Sequence, residues 1–183
     1  DVRSIIEAAR LAPSAGNSQP WRFIAIRNKK IIQNMAETVE KKIMDLYPLI
    51  NNEKDVKRLD NYKFYYLLFK DAPLVLAVIG EKSKTLFTKL NEKYNLNANY
   101  KGNIDPDILS IGACVENMLL AISSLEYGAT WMTGPIRFAQ EELEKLLEIK
   151  RQKEHLVSLV AIGKPASLKN MPPKKSIDEL ISY

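Results

Sequence analysis

The sequence of 183 residues is 46% hydrophobic and 27% charged, and its formal net charge is +5. This length suits one hydrophobic core, so we expect a single domain over residues 1–183, and the apolar content excludes a disordered chain. Positive and negative residues are mixed in the charged runs at 141–145 and 150–154, which is typical of solvated helix faces and argues against a nucleic-acid partner. The single cysteine, Cys114, excludes an internal disulfide framework.

No apolar stretch of the sequence predicts a membrane anchor. The longest continuous apolar run, residues 72–80, is far shorter than the roughly 20 residues that a membrane-spanning helix needs. No secretory signal pattern opens the sequence, so we expect a cytoplasmic protein with no membrane partner.

Helices and strands alternate along the first half of the sequence. The apolar spacing predicts a helix that Pro13 ends, then a β-branched strand, and then a helix capped by Asn28. A further helix precedes a continuous apolar run, which is typical of a strand covered on both faces. These elements are predicted at residues 2–11 (helix), 22–27 (strand), 29–46 (helix), 57–70 (helix) and 74–80 (strand).

The second half begins with a poorly patterned stretch, residues 81–104, in which we expect a short helix at 84–90 and a mobile excursion that we interpret as a lid. The strongest helix signal follows Asp105 and is apolar on most sides, so this helix should lie in the core or against a partner subunit. Later elements are predicted at 129–133 (strand), 140–149 (helix), 156–162 (strand) and 177–181 (a short amphipathic stretch). Few strands among long helices predict an α+β fold or three-layer sandwich.

The first candidate site segment is residues 12–21, APSAGNSQPW, between the first predicted helix and the first predicted strand. Two prolines stiffen it, and Gly16 allows backbone conformations that other residues resist. Hydroxyl and amide side chains then present donors and acceptors from a rigid turn, with Trp21 as an apolar anchor. An ordinary polar loop is the alternative, but the cost of ordering so many polar groups favours a ligand-binding segment. The polar side chains are those of Ser14, Asn17, Ser18 and Gln19.

Two later segments carry weaker signals. The second segment, residues 130–135, places Gly134 where a strand ends, and a glycine there lets backbone N–H groups approach a planar ligand closely. A plain β-turn would have the same pattern. The third segment, residues 172–176, carries Lys174 and Lys175, whose charge suits a phosphate group, although paired lysines in a polar tail are also common as solvated residues.

Reactive side chains form no catalytic motif in the sequence. His155 is the only histidine and precedes an apolar strand, and Cys114 has apolar neighbours in the strongest helix, so we expect structural roles for both. No metal-binding, nucleophile-elbow, CxxC or dinucleotide-binding glycine motif is present. These absences disfavour metal catalysis and nucleophilic catalysis by serine or cysteine.

Residues 12–21 closely match A-P-S-x-x-N-x-Q-P-W, and on this motif the chain resembles the nitroreductase family of FMN-dependent oxidoreductases. The two later segments match in the expected order. The resemblance implies a three-layer sandwich with a mostly antiparallel central sheet flanked by helices, in an intertwined homodimer with FMN at the subunit interface. It assigns cofactor contacts to Ser14, Ala15, Asn17, Gln19, Met132, Thr133, Gly134, Lys174 and Lys175.

The family also places a basic, phosphate-binding segment before its first helix. Arg3 and Ser4 lie too close to residues 12–21 to be that segment, so we expect this part of the phosphate site to be missing from the sequence. The remaining anion partner implied by the resemblance is Lys174, with Lys175 beside it. Lysine there lacks the two-pronged hydrogen bonding of an arginine.

The resemblance implies hydride transfer from NAD(P)H through flavin N5 to a nitroaromatic, quinone or similarly electron-poor substrate, in a ping-pong reaction that uses no catalytic side chain. Two alternatives stay open. One is a branch of the same fold with other flavin chemistry, such as reductive dehalogenation, flavin destruction or azoline oxidation. The other is a non-catalytic protein that binds flavin.

Overall fold

The structure is a computed structural model that describes residues 1–83, 86–96, 104–166 and 172–182. Short 3₁₀ turns occupy Ala15–Asn17, Tyr47–Leu49, Leu68–Asp71 and Ile177–Glu179. The described helices are α1 (Val2–Arg10), α2 (Lys29–Met44), α3 (Glu53–Tyr66), α4 (Leu86–Tyr94), α5 (Pro106–Ser124) and α6 (Gly134–Leu146). The described strands are β1 (Trp21–Ile26), β2 (Leu74–Glu81), β3 (Gly128–Met132) and β4 (Glu154–Gly163).

The four strands form one sheet in the order β1-β2-β4-β3, and all three strand pairings are antiparallel. The central strand β2 is buried from Leu74 to Gly80, as its continuous apolar run predicts. Successive side chains of a strand point to opposite faces, so β2 supplies two hydrophobic cores. Val75, Ala77 and Ile79 face one core, and Leu74, Leu76 and Val78 face the other.

Helices cover both faces of the sheet. The first core packs α2 and α6 on the sheet, with α3 at its margin, and its central side chains include Met35, Val39 and Leu143. The second core packs α1 and α5 on the opposite face, through Ile5, Val115 and Met118 among others. The sheet is therefore the middle of three layers. This confirms the predicted α+β sandwich with a mostly antiparallel sheet flanked by helices.

Several predicted boundaries were wrong. The helix predicted at 57–70 is α3, which ends at Tyr66 and is followed by the 3₁₀ turn Leu68–Asp71. The helix predicted at 140–149 begins at Gly134, because the Gly-Pro pair that was interpreted as a strand break forms the first helical turn, where proline is well tolerated. The helix predicted at 84–90 is α4, and residues 97–103 of the predicted lid lie outside the described residues.

Helix α5 is long and apolar enough, by length and composition alone, to cross a membrane. In this fold its buried side chains, such as Ile111, Cys114 and Ile122, pack in the second core. The core helix of a protein that never meets a membrane passes the same test. Its outer face is also apolar, since Leu109 and Leu120 are 64% and 60% exposed.

Candidate functional site

The first and second segments join the sheet at the same end of it. The first segment leads into β1 at Trp21, and the second leaves β3 at Met132, which lies in one cross-sheet row with Leu159, Ala77 and Ile24. β1 and β3 are the two edge strands, three strand spacings or about 14 Å apart. The structure thus brings both segments toward one end of the sheet but to opposite edges of it.

The first segment turns sharply on itself. Gly16, Asn17 and Gln19 have φ values of 59°, 53° and 48°, a left-handed conformation that glycine and asparagine adopt more readily than glutamine. The turn is closed from within: the Asn17 N–H donates to the Ser14 carbonyl oxygen over 3.0 Å, and the Gln19 N–H donates to Ser14 Oγ over 3.0 Å. Non-glycine residues held in this region store backbone strain, which is characteristic of functional loops.

These internal bonds determine what the first segment can offer a ligand. The Ala15 N–H donates to Ser110 Oγ (3.2 Å) and its carbonyl accepts from Ser18 (3.2 Å), so both backbone groups of Ala15 are engaged. Ser14 Oγ accepts one bond but retains its own hydroxyl hydrogen as a donor. The Asn17 side chain is exposed, and its amide forms no hydrogen bond with the described residues. The Ser14 hydroxyl and the Asn17 amide are therefore free to donate from this segment.

Ser110 is a site residue that the sequence analysis missed. It lies in the second turn of α5, is only 6% exposed, and its hydroxyl accepts from Ala15 while donating to the Pro106 carbonyl over 2.6 Å. The hydroxyl thereby links the first segment to a helix nearly one hundred residues away. A serine in an apolar helix was the only sequence signal, and that pattern alone names no partner.

The second segment is a direct junction from strand to helix. Thr133 is the N-cap of α6, but its side chain makes no capping bond, and the first helical turn contains no acidic residue. The N–H groups of Thr133 and Gly134 donate to no acceptor among the described residues. Two adjacent donors at the positive end of a helix dipole form a ready site for an anionic or electron-rich group.

Packing, rather than turn geometry, requires glycine at position 134. A Cβ atom added to Gly134 would lie 2.2 Å from Cδ1 and 2.6 Å from Cε1 of Tyr66, so the tyrosine ring occupies the space that any side chain would need. The Tyr66 ring also meets Phe138 of α6 edge-on, with centroids 4.9 Å apart. Met132 is only 5% exposed and packs in the first core, so its backbone alone can face a ligand.

An ion pair lies at this end of the sheet, between the two segments. Arg22, next to the first segment, donates from Nε and Nη2 to the two Glu154 carboxylate oxygens over 2.8 and 2.9 Å. The Arg22 hydrogen bonds hold the pKa of Glu154 below its ordinary value. Because this bidentate pair spans from β1 to β4, it fixes the strand after the first segment relative to the strand beside the second.

The remaining candidate residues lie outside these two segments. Lys174 and Lys175, the anion partners that the resemblance implies, are exposed in a stretch that is neither helix nor strand and form no hydrogen bond or ion pair with the described part of the chain. His155 lies in β4 with its ring against the backbone of Gly80. Cys114 is buried in α5, and burial raises the pKa of its thiol to about 12, so it is an inert core residue.

The structure thus combines a three-layer fold with a strained polar turn and with free backbone donors at one end of its sheet. The family model of the nitroreductase family matches residues 1–164, and the chain belongs to this family. The recognition made on residues 12–21 is thereby confirmed.

Relatives and solved structures agree with the family assignment. The chain is 26% identical over 172 residues to a protein of Archaeoglobus fulgidus named "Putative NADH dehydrogenase/NAD(P)H nitroreductase", with 93% of this chain and 75% of that protein covered. It is 25% identical to a BluB-like flavoprotein from Clostridium difficile 630, with a TM-score of 0.82 over all of this chain and 87% of that one.

Another solved structure is the oxidised iodotyrosine deiodinase bound to FMN and 3-iodo-L-tyrosine. Its TM-score is 0.68 at 24% identity, with 97% of this chain and 85% of that chain covered, so it shows a shared fold alone. Family membership and the named relatives support oxidoreductase activity for this chain.

Proposed function

We propose that this chain binds FMN and transfers hydride from NAD(P)H to electron-poor substrates such as nitroaromatics or quinones. The observation that carries the proposal is the pair of free N–H groups at Thr133 and Gly134, at the positive end of α6. They suit the nitrogen and carbonyl acceptors along one edge of a flavin ring. Bound FMN would supply the redox chemistry, so the proposal needs no catalytic side chain.

The residues of both segments have separate parts in this proposal. Thr133 and Gly134 donate backbone hydrogen bonds to the ring edge, and the buried Met132 side chain holds this backbone in the core. Ser14 and Asn17 donate from the first segment, while Ala15 and Gln19 shape its turn through their own hydrogen bonds. Lys174 and Lys175 would neutralise the phosphate, a part that rests on the family resemblance and on their lack of partners in the described chain.

A homodimer brings the two segments together in this proposal. Within one copy they lie at opposite edges of the sheet, so a flavin that touches both is best held where the first segment of one copy meets the second segment of another. The exposed apolar side chains of Leu109, Leu120 and Trp131 are suited to pack in such an interface.

The two hydrophobic cores share one sheet, which supports a single domain. We place the protein in the cytoplasm on the sequence pattern.

An absorbance spectrum tests this function directly. The purified protein should be yellow, or turn yellow with FMN, and should bleach when NADH or NADPH is added without oxygen. A protein that stays yellow would be a flavin binder or would use another electron donor. A protein that FMN cannot colour would contradict both flavin functions.

Paired substitutions test the residues. The double variant Asn17→Ala and Lys174→Ala removes one exposed donor from each of two segments and no buried contact, so it should release FMN and keep the fold. We expect an increase in the FMN dissociation constant of at least tenfold, with an unchanged circular dichroism spectrum. Unchanged flavin retention would remove both residues from the site. Lys145→Ala together with Asn34→Ala, on the surface of other helices, is the matched control.

Reductive dehalogenation is the second candidate function. It is favoured by a 29% identity over 85 residues to an iodotyrosine deiodinase of Thermotoga neapolitana that covers 45% of each chain. A panel of nitro compounds, quinones and halogenated phenols mixed with the pre-reduced protein separates the candidates. Fastest reoxidation by the halogenated phenols, with halide release, would support dehalogenation over nitro or quinone reduction.

A further inference from the structure

We infer that Tyr66 is the positioning residue that aims the free N–H groups of Thr133 and Gly134 toward the cofactor. The inference rests on the proposed function and extends it to a helix, α3, that no site motif of the sequence touches. It starts from one contact: the Tyr66 ring fills the space where position 134 would carry a side chain, 2.2 Å from an added Cβ.

The ring is held from several sides. It meets Phe138 of α6 edge-on at 4.9 Å and Tyr62 of its own helix at 5.7 Å, and its next neighbour, Leu67, is 7% exposed and packed in the first core. Aromatic pairs in this geometry contribute beyond their buried area. Tyr66 therefore has little freedom to move, and Gly134 has a rigid surface on one side.

The donors at Gly134 have no partner of their own. The Thr133 side chain makes no capping bond, Pro135 has no N–H, and the N–H groups of Thr133 and Gly134 have no acceptor among the described residues. The Thr133 carbonyl accepts from the Ile136 and Arg137 N–H groups over 3.2 and 3.4 Å, which ties one side of the Thr133–Gly134 peptide to the first turn of α6. The Tyr66 ring packs on the glycine itself and limits how far this turn can tilt, so it is the contact from outside α6 that sets the direction of both donors.

The geometry assigns this role to the aromatic ring of Tyr66 and not to its hydroxyl group. The contacting atoms are Cδ1 and Cε1, and the Tyr66 hydroxyl forms no hydrogen bond with the described residues. Phenylalanine should therefore replace Tyr66 without loss, whereas a small side chain should not. Phe64 gives a matched control, because it lies on the same helix, is 62% exposed, and its ring contacts Tyr65 and not Gly134.

The test compares Tyr66→Phe, Tyr66→Ala and Phe64→Ala in the full chain. Three quantities are measured for each: the FMN dissociation constant from flavin fluorescence, the residual dipolar coupling of the Gly134 N–H bond, which reports the direction of that bond, and the thermal unfolding midpoint. We expect Tyr66→Phe and Phe64→Ala to bind FMN within twofold of the parent. Tyr66→Ala should bind at least tenfold more weakly and should change the residual dipolar coupling of the Gly134 N–H bond in the protein without added FMN. If Tyr66→Ala does not fold, Tyr66→Leu takes its place in the comparison.

Three results would overturn the positioning role. They are an FMN affinity of Tyr66→Ala within twofold of the parent, an equal loss in Tyr66→Phe, and a loss of affinity with an unchanged residual dipolar coupling of the Gly134 N–H bond, which would indicate direct contact between ring and cofactor. The coupling also separates this inference from the proposed function. If the parent protein binds no FMN, the proposed function fails, while the coupling still decides whether Tyr66 fixes the direction of the Gly134 N–H bond.

Discussion

The first and second segments leave different groups free to bind a ligand. In the first segment, the backbone N–H groups of Asn17, Ser18 and Gln19 donate within the turn, and that of Ala15 donates to Ser110 of α5. The second segment leaves the donors of Thr133 and Gly134 free and is held from outside by an aromatic ring. The first therefore presents side chains from a stiff backbone, and the second presents the backbone itself.

This difference explains why the two segments should respond differently to substitution. In the first, the proposed binding groups are exposed side chains such as that of Asn17, so replacing them removes no buried contact, although the left-handed backbone at Asn17 adds a small cost for residues other than glycine. In the second, the proposed binding groups belong to the backbone, so a substitution acts only by moving it. A side chain added at Gly134 should therefore disturb both stability and binding.

The largest effect is expected for Gly134→Ala. The new methyl group would overlap the Tyr66 ring, and overpacking of this kind costs about 2 kcal/mol in the free energy of unfolding. Urea denaturation measures this cost. Gly112→Ala is the control, because no atom lies within 4 Å of its added Cβ and alanine favours a helix interior, so that variant should be neutral or slightly more stable. Equal behaviour of the two variants would contradict the packing described at Gly134.

An intermediate effect is expected for Ser110→Ala. The change removes the acceptor of the Ala15 N–H and loosens the first segment from α5, at a cost of about 1 kcal/mol. Hydrogen exchange at the Ala15 amide should accelerate. Ser124→Ala, at an exposed serine of the same helix that bonds only to the Ala121 carbonyl, should change neither quantity. An Ala15 amide that exchanges at the parent rate would show that Ser110 does not hold the segment.

The smallest effect is expected at the ion pair between the two segments. Arg22 lowers the pKa of Glu154 in the folded state, so the pair stabilises the protein above the ordinary carboxyl pKa and loses its contribution as the pH falls through the lowered value. Glu154→Gln should thus cost up to about 1 kcal/mol at pH 7, a modest value because Arg22 is half-exposed, and progressively less as the pH falls from 5 to 3. Unfolding midpoints across this pH range measure the difference.

The control for this pH dependence is Glu141→Gln, which removes an exposed ion pair with Arg151. Exposed pairs contribute little, so its stability difference should be small and flat with pH. A difference for Glu154→Gln that grows toward acid would reverse the sign argued here.

Patterns of hydrophobic spacing predicted the layers well. The buried strand at residues 74–80 and the capped helix after Asp105 are both present, because caps and apolar periods are local signals. The start of α6 was missed because the local signal is ambiguous. A Gly-Pro pair is equally typical of a turn and of a first helical turn, and the contact of Gly134 with the distant Tyr66 is not visible in the sequence.

The site was predictable only in part. The motif at residues 12–21 identified the family, and its polar residues lie in a strained, structured turn. Ser110 and Tyr66 could not be found this way, because each acts through one contact between residues far apart in the sequence. Motifs mark residues that touch a ligand, whereas residues that hold those in place leave no pattern in a single sequence.

Titration of the ¹⁵N-labelled protein with FMN, followed by amide resonances, tests the central claim most directly. The account predicts that the Thr133 and Gly134 amide resonances shift most, because their free N–H groups donate hydrogen bonds to the cofactor. The amides of Gly128 and Gly163, which pair with each other at the other end of β3, should stay in place. Saturable binding of FMN that leaves Thr133 and Gly134 unmoved would contradict the account.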